Sequence, residues 1–175
     1  MEKSQLDFYK IDMKYIRNLH HLDDRVFSVS PQIGKSDRPF LGLVVVSNGR
    51  SYCIPLSAPK EKHKFMRNRI DFIKMVEDDK LLGVLNLNLM IPVQKAQLQK
   101  IDISVHKHDR ASTVKRKEFL AKELAWCREH EREITNAVNV LYQAYTSNAQ
   151  FAARKNCLDF PTMEKACDKY NQASR

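Results

Sequence analysis

Near residue 110 the spacing of apolar residues changes, and this limits the fold more than any other feature of the chain. Before it, short apolar runs at 6–11, 40–46, 52–56, 70–76, 81–87 and 88–93 alternate with turn residues, the pattern of strands joined by tight connections. After it, apolar residues recur three and four apart, the pattern of helices packed on one face. Short connections force neighbouring strands to run antiparallel. The expected fold is α+β. Residues 1–110 form mainly a curled antiparallel sheet or small barrel, residues 111–175 are mainly helical, and together they make one domain over 1–175.

Local signals fill in this outline. Phe8 and Tyr9 favour a first strand, and Asp12 is suited to cap a helix over Met13–Leu22 with Ile16, Leu19 and Leu22 on one stripe. Asn48-Gly49 marks a hairpin because both residues tolerate positive φ. Pro55 in the return strand points to a sheet edge or a strand end. Glu77-Asp78-Asp79-Lys80 marks a second hairpin. Ser112 or Thr113 can cap a long helix whose apolar face is Phe119, Leu120, Leu124 and Cys127. Ile134, Ala137, Val138, Leu141, Ala144 and Tyr145 form the stripe of a second helix. Phe160-Pro161 opens a short third, with Met163, Ala166, Cys167 and Tyr170 buried. Trp126 and the other helical aromatics read as core.

Charge narrows the function. Thirty Lys and Arg against 21 Asp and Glu give a net charge of +9, which suits a phosphate polymer as partner. Cys53, Cys127, Cys157 and Cys167 make no C-x-x-C pair and read as reduced, buried thiols of a cytoplasmic protein without structural zinc. No apolar run approaches the length of a membrane span, and MEKSQLDFYK lacks a signal region. Asp23-Asp24 and Asp78-Asp79 read as solvated turn acids, and no His/Asp set has ligand spacing, so no metal is expected. Gly34, Gly42, Gly49 and Gly83 are too scattered for a phosphate loop, and no cofactor is expected.

What remains is IPLSAPKEKHKF at 54–65 and the basic run that continues to Arg69. A strand end that delivers Ser57, then Lys60, His63, Lys64 and Arg67, gathers donors around one imidazole. That set suits phosphodiester chemistry on RNA, because RNA carries its own nucleophile, the 2′-hydroxyl. The protein need only orient it, stabilise the developing charge and help protons move. His63 is the candidate proton acceptor. Lys62 and Arg69 extend the basic surface, Arg38 can clamp a phosphate, and Phe65 and Phe40 can stack on bases or fill the core. A second basic segment, His106, Lys107, Arg110, Lys115 and Arg116, offers further RNA contacts. The alternative for both segments is a solvated surface that attracts phosphates without acting on them.

Several blocks, in order, resemble the ToxN/AbiQ family of endoribonuclease toxins from type III toxin–antitoxin systems. They are Phe8-Tyr9-Lys10-Ile11, Lys14-Tyr15-Ile16, Asp23-Asp24-Arg25-Val26, Arg38-Pro39-Phe40-Leu41-Gly42-Leu43-Val44, Ile54-Pro55-Leu56-Ser57-Ala58-Pro59-Lys60, and Leu82 to Leu87 through Met90-Ile91-Pro92-Val93. The resemblance is strongest in the first hundred residues. It implies an SH3-like (Kid/MazF-like) curled sheet or barrel decorated by helices. It implies metal-independent, sequence-specific RNA cleavage leaving a 2′,3′-cyclic phosphate. The partners it implies are cellular RNA substrates and a small repeated antitoxin RNA, folded as a pseudoknot, that closes protein–RNA assemblies.

The family motif is similar to Pro-Leu-Ser/Thr-Ser-Pro-Lys. It puts Ser57 at the first hydroxyl and Lys60 at the lysine, with Arg38 as a basic residue near the site. Ala58 stands where the family pattern has its second serine, and losing one such donor costs on the order of a hundredfold in rate. Three explanations stand: an introduced Ser→Ala that disarms a toxic nuclease, a natural variant working through Ser57 and Lys60, or a protein that only binds RNA.

Overall fold

In the computed structural model, residues 5–28, 38–148 and 150–173 are described; the expected domain span of 1–175 includes residues outside this description. The first strand, β1 (Asp7–Ile11), leads into helix α1 (Met13–Leu22), whose first turn is capped as expected. The Asp12 carboxylate accepts from the backbone N–H groups of Lys14 at 2.8 Å and Tyr15 at 3.3 Å. Tyr15, Ile16 and Leu19 are buried, but Leu22 is exposed, because the helix ends there and its last turn leaves the core.

Strands β2 (Phe40–Val45) and β3 (Ser51–Ser57) form the expected hairpin with a different turn. Gly49 alone takes a positive φ, +85°, and its N–H donates to the Val46 carbonyl while the Val46 N–H donates to the Arg50 carbonyl. The loop is a turn closed by a left-handed glycine, not a two-residue primed turn. The short helix α2 (Glu61–Phe65) follows, within a run that reads as loop from its charge. The second hairpin, β4 (Ile73–Glu77) and β5 (Lys80–Leu85), turns through Asp78 and Asp79 with φ of 48° and 60°, the primed geometry without glycine. Residues 88–93 yield a shorter strand, β6 (Ile91–Val93), because a 3₁₀ turn occupies Leu87–Leu89. The strand β7 (Leu98–Lys100) carries no sequence signal.

All pairings are antiparallel, in the order β4-β5-β3-β2-β1-β7, with β6 also on β3. Among the described residues β4 and β7 do not pair, so the sheet is curled but open, not a closed barrel. Pro55 lies in the central strand, not at an edge. The reason is that β3 changes partner halfway, pairing with β6 over Ser51–Cys53 and with β5 over Leu56–Ser57. A residue's N–H and C=O face the same side of a strand, and the Pro55 carbonyl faces Asn86. The missing N–H therefore falls where the partner changes.

The helical part is α3 (Ala111–Glu129), α4 (Glu131–Ser147) and α5 (Phe160–Ala173). α3 starts before the expected caps, at Arg110 with no side-chain cap. There Asp109 closes the preceding turn by accepting from the His106 N–H at 2.9 Å and from Lys117 Nζ at 2.8 Å, which fixes the helix start early. Leu120, Leu124, Cys127 and Trp126 are buried, whereas Phe119 is exposed and leaves the expected apolar face. Ile134, Val138, Leu141, Tyr142 and Tyr145 of α4, and Met163 and Cys167 of α5, bury the other stripes. All four cysteines are free and buried.

One polar network joins sheet and helices. Tyr52 and Tyr142 both donate to Glu164 Oε1, at 2.8 and 2.7 Å, and Arg50 binds Asp168 through two nitrogens at 2.9 Å each. No helix among the described residues is long and apolar enough to cross a membrane.

Candidate active site

The last residue of β3, Ser57, pairs with Val84 of β5, and Ala58, Pro59 and Lys60 beyond it are exposed. Ser57 Oγ accepts a 2.7 Å hydrogen bond from Nδ2 of Asn86, the residue just after β5. Asn86 also grips the Pro55 carbonyl, through Nδ2 at 3.3 Å and its backbone N–H at 3.1 Å. Because Asn86 is the donor, the Ser57 proton is directed to another acceptor. Ala58, next in the chain and exposed, adds no second hydroxyl beside it.

Lys60 begins α2. The His63 N–H donates to the Lys60 carbonyl at 2.9 Å, and His63 Nδ1 accepts the Lys60 N–H at 3.1 Å. A ring nitrogen that accepts carries no proton, so the neutral imidazole holds its proton on Nε2. Burial, then the charges of Lys62, Lys60 and Lys74, lower the His63 pKa and favour that neutral form.

Behind the strand end, β3, β4 and α3 close on Gly83 of β5. A Cβ there would lie 2.8 Å from Met75 Cε, 3.0 Å from the Ser57 carbonyl and 3.2 Å from Glu123 Oε1. A side chain at this position would crowd the Ser57 carbonyl and push Met75 and Glu123 aside. Glu123 is buried, and desolvation pushes its carboxyl up to about 7.

His63 and Asn86 line a cleft of about 450 Å³. Arg25, Lys62, Arg69 and Lys155 converge on it, with Asp71 as its single carboxylate. Arg25 is bound by Asp23 at 2.6 Å and donates to the Lys155 carbonyl at 2.9 Å, which draws two distant loops together. A second cleft of about 520 Å³ shares Arg25 and Lys155 and adds Arg154 and Phe151. Among the described residues no group of three or more His, Cys, Asp or Glu is placed to hold a metal ion.

The sequence-predicted residues separate into two groups. Ser57, Ala58, Lys60 and His63 fall together at the strand end, and Lys62 and Arg69 line the cleft beside them. Lys64 pairs with Glu61 at 2.8 Å on the exposed face of α2, and Arg67 is exposed. Phe65 is 87% exposed and can stack, whereas Phe40 is 1% exposed and belongs to the core. Arg38 lies with its guanidinium 5.0 Å from the Phe27 ring and is not among the cleft-lining residues. His106 pairs with Asp102 at 2.6 Å, a bond that holds the Asp102 carboxyl down to about 2. Arg116 lines a different cleft, of about 530 Å³, with Lys10, Lys100 and Lys117. Lys107, Arg110 and Lys115 are exposed. The two basic clefts share no lining residue.

Sequence reasoning missed Asn86, Asp71, Arg25 and Lys155 as site residues. The one available signal was for Asn86, a polar residue that interrupts the apolar run Val84-Leu85-Asn86-Leu87. The others reach the cleft only through tertiary packing.

The family described as toxin ToxN of type III toxin–antitoxin systems matches residues 7–168. A protein named endoribonuclease ToxN from Bacillus thuringiensis subsp. kurstaki is 28% identical over 176 aligned positions, covering 97% of this chain and 87% of its own length. Another of that name, from Pectobacterium atrosepticum, is 27% identical over 140 positions, covering 78% and 79%. Among solved structures, a toxin described as selectively inhibited by a non-coding RNA pseudoknot superposes with a TM-score of 0.80 at 28% identity, over 96% of this chain and 99% of that one. AbiQ, a lactococcal anti-phage endoribonuclease, shares the fold with a TM-score of 0.80 at 22% identity, over 97% and 99%.

Proposed function

The chain belongs to the ToxN family of type III toxin–antitoxin systems, and on that premise we propose that it is a metal-independent, sequence-specific endoribonuclease toxin, disarmed at Ala58. The reading is supported by one observation: Ser57 is bonded to Asn86 and the Lys60 backbone to His63, and both Asn86 and His63 line a basic cleft. Single-stranded RNA lies in that cleft with a phosphate at the end of β3. The 2′-hydroxyl attacks phosphorus and gives its proton to water, the bond to the 5′-oxygen of the next nucleotide breaks and that oxygen takes a proton from water, and a 2′,3′-cyclic phosphate and a 5′-hydroxyl are left. The Lys60 ammonium neutralises charge growing on the phosphorane, and the Ser57 hydroxyl donates to a phosphate oxygen. His63, with its proton on Nε2, acts as a donor rather than as the proton acceptor its residue type suggests.

The partners follow the relatives. A small pseudoknot RNA antitoxin occupies the basic surface, blocks the strand end and joins protomers into a closed assembly in the bacterial cytoplasm. A non-catalytic RNA-binding role is the second reading, and Ala58 favours it, since the chain keeps its cations while lacking a hydroxyl beside Ser57.

Restoring the hydroxyl tests the proposal. In an Ala58→Ser protein, RNA cleavage rises by roughly 100-fold or more. It persists in a chelator and leaves cyclic-phosphate ends. In that background Lys60→Arg cripples cutting and spares affinity. An Ala58→Ser protein that cuts no RNA and permits growth without the antitoxin sinks the catalytic reading. RNA affinity that stays flat between low and high salt removes the cleft as the docking surface.

A further inference from the structure

Asp71 is out of place in a phosphate-binding cleft. It lines the space together with four cations, and a carboxylate there repels the RNA backbone. Its fold role does not account for its charge. The backbone carbonyl of Asp71 accepts from the Asn88 N–H at 3.1 Å, a contact any residue could make. The side chain is 7% exposed, and Oδ1 has no hydrogen-bond partner. That same oxygen is held only by an ion pair, to Arg69 Nε at 3.5 Å, on a side chain that is 53% exposed. A buried carboxylate oxygen that makes no hydrogen bond and has only a long contact to an exposed arginine is poorly satisfied, and it marks a place where a ligand can supply a donor.

The surroundings say which ligand. The cleft has the volume of a small-ligand site, ~300–1,000 Å³ being the usual range. Met66, Phe72 and Val84 give it apolar walls against which a flat ring can lie. In nucleic-acid recognition, cations on phosphates position the chain, and groups on base edges specify it. Asp and Glu read amino groups, because a carboxylate only accepts. Uracil offers a single ring N–H flanked by two carbonyl oxygens, which would face the carboxylate.

We propose that the cleft beside Ser57 is a nucleobase-selecting subsite in which Asp71 accepts a hydrogen bond from the exocyclic amino group of adenine, cytosine or guanine and so disfavours uracil. The inference rests on the reading that single-stranded RNA enters this cleft. A phosphate of the incoming strand draws Arg69 outward, and the Asp71 oxygen it stood beside then meets the base.

The test needs no cleavage and uses the chain as it stands. Fluorescence anisotropy at one fixed salt concentration compares short single-stranded oligomers of cytidine, uridine and N4,N4-dimethylcytidine. The cytidine oligomer binds at least about fivefold more tightly than uridine, and the dimethylated oligomer falls to the uridine level. Asp71→Asn removes the preference while salt-dependent binding remains. Equal affinity for all three oligomers overturns the subsite, and so does a cytidine preference that survives in a folded Asp71→Asn variant. The modified oligomer gives the answer even if that variant does not fold. If the base preference holds and the Ala58→Ser protein cuts nothing, the catalytic reading falls and the subsite stands.

Discussion

Strand β3 begins and ends in opposite surroundings. At its start, Tyr52 and Arg50 are tied into α4 and α5 through Glu164 and Asp168, with short hydrogen bonds on each polar group. At its end, Ser57 leans on one amide, Lys60 projects into solvent, and Asp71 nearby keeps an oxygen without a hydrogen bond. Both ends belong to one continuous strand, so the difference comes from what packs on them. The start is fixed by two helices that bury it. The end meets a five-residue helix and loops that leave donors and acceptors for something else. Satisfied polar groups hold a fold in one arrangement, while unsatisfied ones are kept where a ligand completes them.

The contrast can be broken from either side. The largest effect on stability belongs to the start: Glu164→Ala leaves the Tyr52 and Tyr142 hydroxyls without their acceptor while Arg50 keeps Asp168, and unfolding free energy falls by about 3 kcal/mol. Chemical denaturation measures it. A loss under 1 kcal/mol would mean that the network does not anchor β3.

Behind the other end, Glu123 lets the contrast be tuned by pH. Its folded pKa, about 7, lies above the ordinary 4.5, so the folded state prefers the protonated acid. Stability is then fully present below about pH 4.5 and is lost as pH rises to about 7. The shift corresponds to roughly 3 kcal/mol at most. Glu123→Gln should raise Tm by several degrees at pH 8 and leave it nearly unchanged at pH 4.5. A Tm difference that is constant across that range would show that Glu123 does not titrate there.

The smallest effect is at the exposed tip. Phe65→Ala removes a stacking surface and should weaken single-stranded RNA binding by about tenfold, with Tm unchanged because the ring is 87% exposed. Unchanged affinity would confine the RNA to the cleft and take α2's outer face out of the interface.

The two ends were also unequally legible. Hairpin signals and the Asp12 cap located the strands around β3, because turn geometry and capping are decided within a few residues. Ser57 and Lys60 stood out as a hydroxyl and a cation closing an apolar strand. The groups that complete the cleft did not. Asn86 meets Ser57 across 29 residues and Arg25 meets Lys155 across 130, and no local pattern encodes such meetings. The helix Glu61–Phe65 is too short to show a period under its charge. Strand Leu98–Lys100 exists only because β1 offers an edge to pair with. The Tyr52–Glu164 network was unread for the same reason as Asn86. Its members look ordinary until the last helix folds back.

That fold-back sets an order on the ribosome. α5 follows every strand in the chain, so Glu164 and Asp168 are synthesised more than a hundred residues after Tyr52 and Arg50. A nascent chain can form the β2–β3 hairpin early, yet the strand that carries Ser57 stays unanchored at its start until the final helix emerges. Translation thus sets the order in which β3 is fixed: its pairing with β2 can form first, and its polar anchors on α5 close last.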